Sequence, residues 1–294
     1  MISTQAKPKA SSTKLTGADV GIPLRHLRFD FPQQSPRYFV LRENALATSL
    51  MVVFSGYFPP GERFFVDSVR HFRDQVTDPV LKAQISGFIG QEALHGREHE
   101  RLNAFLVARG FDNTMAERMV NLGLNLMRKL PASQQLACTI LMEHFTASLA
   151  EQWLTNREFS EQSDPEMLNL WYWHALEELE HKSVAYDLYT HVSGNYVQRI
   201  ISAPIVLLTL GPGLFVSLGW TLAREGQMLN LRDNLRGLKF LFGRDGFITN
   251  VITQIPSFFA FGFHPSQDDT RDLEAATRER LFGSEGYISS SAVH

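Results

Sequence analysis

The spacing of apolar residues predicts helices along almost the whole chain. Apolar side chains recur every three or four residues over long windows, whereas the alternation typical of strands is scarce. Two Asp-Pro pairs mark helix starts, because aspartate caps a first turn and proline fits its first position. Glycine, which tolerates a left-handed backbone, marks the corresponding ends. The predicted helices are 79–109, closed by Gly110, and 165–192, closed by Gly194.

Further helices are predicted at 133–155, at about 113–129, and after Pro59-Pro60-Gly61. The sequence therefore predicts an all-α protein with a single helical domain at 35–294. Within it we expect a four-helix bundle at about 59–192 and a helical extension at about 196–294. Residues 1–34 are rich in Ser, Thr, Lys and Pro and lack an apolar signal segment, so they predict a flexible or surface-draped arm.

One stretch, 200–223, carries no charge and is long enough to span a bilayer. Pro204 and the run Gly211-Pro212-Gly213 predict that it breaks into two short helices. Buried helices around a turn are the favoured interpretation. A membrane-dipping hairpin and the wall of an apolar substrate channel are the alternatives.

The two Asp-Pro helices carry the same motif at the same register. In each, twelve residues separate the proline from a Glu-x-x-His sequence. A helix with one candidate glutamate precedes each of them. The resulting set is Glu62, then Glu92 with His95, then Glu143, then Glu178 with His181.

This spacing suits a two-metal centre. Residues three apart on a helix lie on one face, so each Glu-x-x-His pair points one way. Four helices that direct two glutamates and two such pairs into a common core form a di-iron or di-manganese carboxylate site. Four carboxylates neutralise two divalent ions, and imidazole nitrogen suits iron. The sequence predicts two iron ions, with manganese or zinc as alternatives.

Other polar residues of these helices receive supporting or structural roles. His174 and His99 each lie one turn from a motif residue and are candidates for a seventh ligand or for a residue that orients a ligand. His144 is a candidate packing or supporting residue, and His264 is interpreted as capping or packing a loop. The glutamates predicted to face solvent are Glu98, Glu100, Glu177 and Glu180.

Composition narrows the function classes. A net charge of −3 gives no basic excess for binding nucleic acid. The single cysteine, Cys138, excludes an intrachain disulfide framework and a cysteine-rich zinc site. We expect a cytoplasmic protein. The sequence leaves open whether 200–223 associates with a membrane and whether the protein forms a homodimer.

Four segments resemble the bacterial family labelled "predicted metal-dependent hydrolase": GERFFVDSVRHF, FIGQEALHGREHERLN, MEHFTASLAE and WHALEELEHKSVAYDLY. The ligand order is similar to that of ferritin-like di-iron proteins, and His174-x-x-x-Glu178-x-x-His181 is most similar to the p-aminobenzoate N-oxygenase group. The resemblance implies a ferritin-like four-helix bundle with additional C-terminal helices. It also implies seven metal ligands: Glu62, Glu92, His95, Glu143, His174, Glu178 and His181.

Two enzyme classes follow from this ligand set. The first is a di-iron oxygenase or oxidase that uses O2 and an electron donor to oxidise an apolar small molecule. The second is a two-metal hydrolase, although no arginine cluster for a phosphate substrate is evident. A non-catalytic ferritin-like metal-binding protein is a third interpretation.

Overall fold

The computed structural model describes residues 15–284, 286 and 288, and this part of the chain is all-α, as predicted, with no strand. The helices are α1 Ala45–Arg70, α2 Pro79–Ala108, α3 Thr114–Met127, α4 Ala132–Thr155, α5 Arg157–Glu161, α6 Pro165–His181, α7 Val184–Val192, α8 Tyr196–Arg224, α9 Leu231–Phe242, α10 Phe247–Gln254 and α11 Arg271–Phe282. Short 3-10 turns lie between several of them.

Helices α1, α2, α4 and α6 form the central bundle. α1 packs on α2 and α4, and α6 packs on the same two helices, so the four close a ring. The predicted caps are confirmed: Asp78 accepts a hydrogen bond from the Leu81 amide (2.7 Å), and Asp164 accepts one from the Met167 amide (3.0 Å). These caps set the register of the two Glu-x-x-His motifs.

The first bundle helix begins much earlier than predicted. α1 begins at Ala45, after an Asn44 cap, and runs through Pro59 and Pro60. Pro59 lacks the N–H that would bond the carbonyl of Ser55 four residues earlier. The Asn103 side chain on α2 donates to that carbonyl instead (2.8 Å), so the helix continues. Glu62 therefore lies well inside α1 and not in its first turn.

The predicted helix 165–192 is two helices. α6 ends at His181, and α7 begins at Val184 after a turn at Lys182 and Ser183. The Lys182 ammonium is nearly buried and donates to the Asp268 carbonyl (2.7 Å) and to Thr270 Oγ1 (2.8 Å). The break therefore falls directly after the last predicted ligand.

The N-terminal segment is packed and not a flexible arm from about residue 22. Ile22, Leu27 and Phe29 are buried. Gly87 on α2 permits the close approach, since a Cβ there would lie 2.7 Å from Ile22 Cγ2. These apolar residues are spaced through a mostly polar segment, so its overall composition did not indicate that it would pack against the bundle. Residues 1–14 of the predicted arm lie outside the described part.

The uncharged stretch is one continuous helix and not a buried pair. α8 spans 29 residues, with Pro204 and Pro212 inside it. By length and composition it is the described helix that could cross a membrane, and 17% of its most apolar 18-residue window is buried. The favoured interpretation of 200–223 is therefore wrong.

Candidate metal centre

The bundle brings all seven predicted ligands into its interior. α1 supplies Glu62, α2 supplies Glu92 and His95, α4 supplies Glu143, and α6 supplies the rest. Each of the seven is at most 2% exposed. Charged residues are almost never fully buried without a partner, so this concentration of carboxylates requires a compensating charge.

The seven side chains fall into two groups whose ligand atoms lie within 4.8 Å of one another. One group is Glu62, His95 and His174, and the other is Glu92, Glu143, Glu178 and His181. Glu178 Oε1 lies 3.6 Å from His95 Nδ1, 3.0 Å from His174 Nε2 and 3.6 Å from His181 Nε2. Its carboxylate thus contacts imidazoles of both groups, which is the position a bridging ligand needs.

Most of the atoms that would bind metal have no hydrogen-bond partner. Both carboxylate oxygens of Glu62, Glu92 and Glu143 are buried and unpaired, as are His95 Nδ1 and His181 Nε2. His181 Nε2 lies 2.9 Å from Glu92 Oε1 without hydrogen-bond geometry. Buried acceptors aimed at a common point fit divalent cations, since leaving them unpaired is costly.

The second nitrogen of His95 and of His181 is held by a buried acceptor. His95 Nε2 lies 3.1 Å from Glu177 Oε2, and His181 Nδ1 lies 3.0 Å from Gln91 Oε1. The Gln91 amide donates to Glu180 (3.1 Å), which orients its oxygen toward His181. These contacts give each outer nitrogen a partner and orient the inner nitrogen toward the other candidate ligands.

His174 is oriented by a chain of hydrogen bonds through His99. His174 Nδ1 lies 2.8 Å from His99 Nε2, and His99 Nδ1 lies 2.9 Å from Ser55 Oγ. His174 Nε2 in turn lies 3.0 Å from Glu178 Oε1, so both of its ring nitrogens have a hydrogen-bond partner. His99 thus lies where a residue that orients the His174 ligand must be.

Three of the glutamates predicted to face solvent are buried. Glu98 and Glu177 are at most 1% exposed, and the Glu180 side chain is equally shielded. The N-terminal segment covers them: Arg25 donates to Glu177 (2.8 Å) and to both oxygens of Glu180 (2.7 and 2.8 Å). The solvent prediction is therefore wrong for these three and holds for Glu100, which is exposed.

Sequence reasoning missed Arg25, Gln91 and Glu177 as supporting residues. Arg25 lies 152 residues from Glu177 in the chain, and no local pattern links them. The one local signal is the i,i+4 spacing of Trp173 and Glu177, whose indole N–H and carboxylate form a 2.8 Å hydrogen bond.

Aromatic rings line the centre, and one glycine admits Glu62. Phe58 packs on His174 (ring centroids 4.9 Å apart), Phe88 on His181 (4.9 Å) and Trp173 on His95 (4.9 Å). A Cβ on Gly96 of α2 would lie 3.1 Å from Glu62 Oε2, so the absence of a side chain lets Glu62 reach its position.

His144 and His264 lie elsewhere. His144 Nε2 is 3.1 Å from the Gln254 carbonyl, and its ring stacks on Phe258. His264 caps a 3-10 turn and lies 2.8 Å from Asp187, as its predicted capping role requires. Both line a surface cleft of about 490 Å³ together with Glu151, where burial raises the pKa of that carboxyl to about 7.

A family model described as "Predicted metal-dependent hydrolase" matches residues 23–269, which is most of the chain. The chain belongs to this family. Neither the curated proteins nor the solved structures give a significant match. The match begins at the N-terminal segment that carries Arg25 and includes all seven candidate ligands. Membership in the predicted metal-dependent hydrolases agrees with buried groups able to hold metal ions.

Electrostatics favour cations in the core of this member of the predicted metal-dependent hydrolases. Burial and the neighbouring carboxylates raise the pKa of Glu62 and Glu143 well above the ordinary value. Burial, reinforced by His174, holds the pKa of His95 well below its ordinary value, so its imidazole is neutral and able to bind metal. Without cations the carboxylates take up protons, and metal binding releases them.

Proposed function

We propose that the protein is an oxidoreductase with two iron ions, which uses O2 and an external electron donor to oxidise an apolar organic molecule. The observation that carries the proposal is the convergence of four carboxylates and three imidazoles inside an aromatic shell. Iron suits mixed nitrogen and carboxylate ligands. Four carboxylates balance the charge of two divalent ions.

The residues of this chain have separable tasks in the proposal. Glu62, His95 and His174 would hold one ion, and Glu92, Glu143 and His181 the other, with Glu178 between them. The bound ions would supply the redox chemistry. Phe58, Phe88 and the indole of Trp173 exclude water, and the hydrogen bonds from His95 and His181 to their outer acceptors keep these imidazoles oriented.

A two-metal hydrolase is the second candidate, and the family description favours it. The ligand set would allow ions to activate water. The aromatic surroundings favour oxidation instead, because a hydrolase needs water and polar contacts to its substrate near the ions. The ion pairs of the four candidate carboxylates within the described chain are with histidines, and none is with Lys or Arg.

The test combines metal analysis with oxygen uptake. The full-length protein is loaded with iron, reduced without oxygen and then mixed with O2, while an oxygen electrode and a visible-range spectrometer record the reaction. We expect about two iron ions per chain and rapid oxygen consumption with a change in absorption. His181→Ala, which removes one candidate ligand, should lose this response, whereas His264→Ala should keep it.

Opposite results would assign the second candidate. Two tightly bound zinc or manganese ions, no oxygen uptake by the reduced iron form, and metal-dependent cleavage of ester or phosphoester probes would overturn the oxidoreductase proposal. Tight iron binding with oxygen uptake but no oxidation of any added organic molecule would instead assign iron handling.

A further inference from the structure

Helix α8 exposes one face of large apolar side chains. The residues that it buries are mostly small or polar, namely Ser202, Gly213, Ser217 and Thr221, together with Arg199 and Leu222. Some of its apolar side chains, such as Leu210 and Leu214, are partly buried against the core, and the others point outward. This outer face of α8 consists of Val197, Ile201, Leu207, Leu208, Phe215 and Val216, with exposed fractions of 61, 44, 68, 73, 71 and 50%.

The inward face is tightly packed, so the outward residues have no room to turn in. A Cβ on Gly123 of α3 would lie 2.4 Å from the Thr209 carbonyl oxygen of α8. A Cβ on Gly213 would lie 2.9 Å from the Met119 Cβ. The Ser217 hydroxyl donates to a carbonyl of its own helix (2.7 Å), so its hydrogen bond is satisfied within α8. Close packing through small residues is characteristic of helices in an apolar solvent.

The outer face of α8 forms a continuous stripe. Val197, Ile201, Leu208 and Phe215 are spaced by four and seven residues, so they share one side of the helix. No charged residue lies between Arg199 and Arg224. At about 1.5 Å per residue, the helix presents this stripe over roughly 30 Å. A soluble monomer rarely exposes so large an apolar surface without a partner.

The chain continues from this stripe into a basic amphipathic segment. The Met228 Cε lies 4.0 Å from a Cβ built on Gly219 of α8, so the two surfaces are continuous. The apolar residues that follow are exposed: Leu229 by 86%, Leu231 by 69% and Leu235 by 66%. The basic residues among and after them are Arg232, Arg236, Lys239 and Arg244.

This positive charge is local. The only acidic residue in 226–244 is Asp233, which bonds to Arg236 (2.7 Å) and to the Ala45 amide (2.9 Å). The whole chain, in contrast, has a net charge of −3. A surface that is both apolar and basic, on an otherwise acidic protein, complements apolar chains beneath anionic headgroups.

We propose that the outer face of α8, with the basic segment 228–244, docks the protein flat onto a lipid bilayer that carries anionic headgroups. The large apolar side chains enter the boundary between headgroups and acyl chains, and Arg232 and Lys239 contact lipid phosphates. This surface is separate from the metal centre, and the inference does not depend on the reaction there.

The packing of α8 favours flat docking over a transmembrane span. Along its length α8 contacts α1, α3 and α4 of the same domain. Its buried Arg199 donates to the Tyr186 hydroxyl (3.0 Å) and to the Ala260 carbonyl (2.8 Å). A span would require α8 to leave these partners and to carry an arginine with it, at a large cost.

Charge disfavours a second copy of this chain as the occupant. A two-fold contact brings the same surface of each copy together. Near the two-fold axis, Arg232, Arg236 and Lys239 would meet their own counterparts, and like charges repel. Away from the axis they would meet the uncharged stretch of the other copy's α8, which supplies no opposite charge. Anionic lipid supplies the opposite charge.

Vesicle flotation tests the proposal. The purified full-length protein is mixed with vesicles of phosphatidylcholine alone, or with one third phosphatidylglycerol, and the bound fraction is measured over a lipid titration. We expect binding to the anionic vesicles to be more than about tenfold tighter than to the neutral ones. It should weaken as salt rises.

Variants separate the apolar contribution from the charge contribution. Leu208→Glu with Phe215→Glu should abolish binding to both kinds of vesicle, because both side chains leave water on docking. Arg232→Glu with Lys239→Glu should weaken binding to anionic vesicles by more than about tenfold and leave neutral vesicles unaffected. Val80→Glu, on an exposed residue of α2, adds a charge elsewhere and should bind like the unchanged protein.

Circular dichroism and bound metal serve as folding controls for each variant. The proposal is overturned if the unchanged protein fails to float with anionic vesicles, or if the Leu208 and Phe215 variant binds as well as it does. It is also overturned in favour of a second copy if light scattering shows a stable dimer in lipid-free buffer that the Leu208 and Phe215 variant dissociates while vesicle binding is absent throughout.

Discussion

The metal centre buries charged side chains, whereas helix α8 exposes large apolar ones. The centre places four carboxylates and three imidazoles in the bundle interior, each at most 2% exposed. α8 buries Ser202, Gly213 and Ser217 while Leu208 and Phe215 face outward. Either arrangement would be unfavourable for the chain alone in water.

In each region, the chemistry of the side chains indicates the kind of partner that would stabilise it. Carboxylate oxygens that converge inside a bundle without hydrogen-bond partners favour the binding of cations, because burying their charge is otherwise costly. An apolar stripe beside basic side chains requires a surface that is apolar and anionic. In both cases, the chemistry of the binding partner can therefore be inferred from the residues that would contact it.

Removing a candidate ligand is the strongest test of whether the buried carboxylates and imidazoles bind metal. Glu143→Ala and His181→Ala should each lose at least one metal equivalent, measured by elemental analysis of the purified protein. Each variant removes one ligand from the group with Glu92 and Glu178. His264→Ala should retain all metal, and full retention in both ligand variants would show that the metal lies elsewhere.

Adding a side chain at the inner face of α8 tests which face of this helix packs against the domain. Gly123→Ala should lower the free energy of unfolding by about 1–3 kcal/mol, because its Cβ would lie 2.4 Å from the Thr209 carbonyl oxygen. Leu208→Gln, at a residue 73% exposed, should change it by less than about 0.5 kcal/mol. Urea unfolding measures both. A larger loss for Leu208→Gln would mean that α8 is packed the other way round.

A substitution in the N-terminal segment tests whether metal binding at the centre depends on residues that are not candidate ligands. Arg25→Ala removes the guanidinium that holds Glu177, the residue bonded to His95 Nε2. We expect metal affinity to fall about 10–100-fold, as for other contacts that orient a ligand. Competition with a chromogenic chelator measures this affinity. Arg28→Ala, whose side chain is 77% exposed in the same segment, is the matched control and should bind normally.

A half-buried carboxyl away from the centre should respond to pH and not to metal. Burial and the neighbouring Asp268 raise the pKa of Glu151 to about 7. The folded state therefore holds a proton that the unfolded state has lost, so stability falls as pH rises from about 4.5 to about 7.

Glu151→Gln removes this dependence. It should stabilise the protein at pH 8 by about 1 kcal/mol, a value reduced for solvent exposure, and have no effect near pH 4.5. Thermal unfolding across this pH range measures the difference. Metal content should not change, and a loss of metal in this variant would link the Glu151 cleft to the centre.

The amino-acid sequence by itself determined the starts of two bundle helices and the register of the Glu-x-x-His motifs. Helix α2 begins at the predicted residue, and α6 begins at Pro165 after the predicted cap. These features depend on neighbours within a few positions, namely Asp-Pro caps and Glu-x-x-His spacing, so a linear pattern carries them.

Only the tertiary structure decided which residues support the site and which helix faces outward. Arg25 reaches Glu177 across 152 residues, and Asn103 lets α1 continue through Pro59 by bonding the Ser55 carbonyl. The outward turn of Leu208 depends on Gly123 of another helix occupying the inner face. Such contacts join distant parts of the chain, so no local spacing encodes them, and they exist only once the helices have packed.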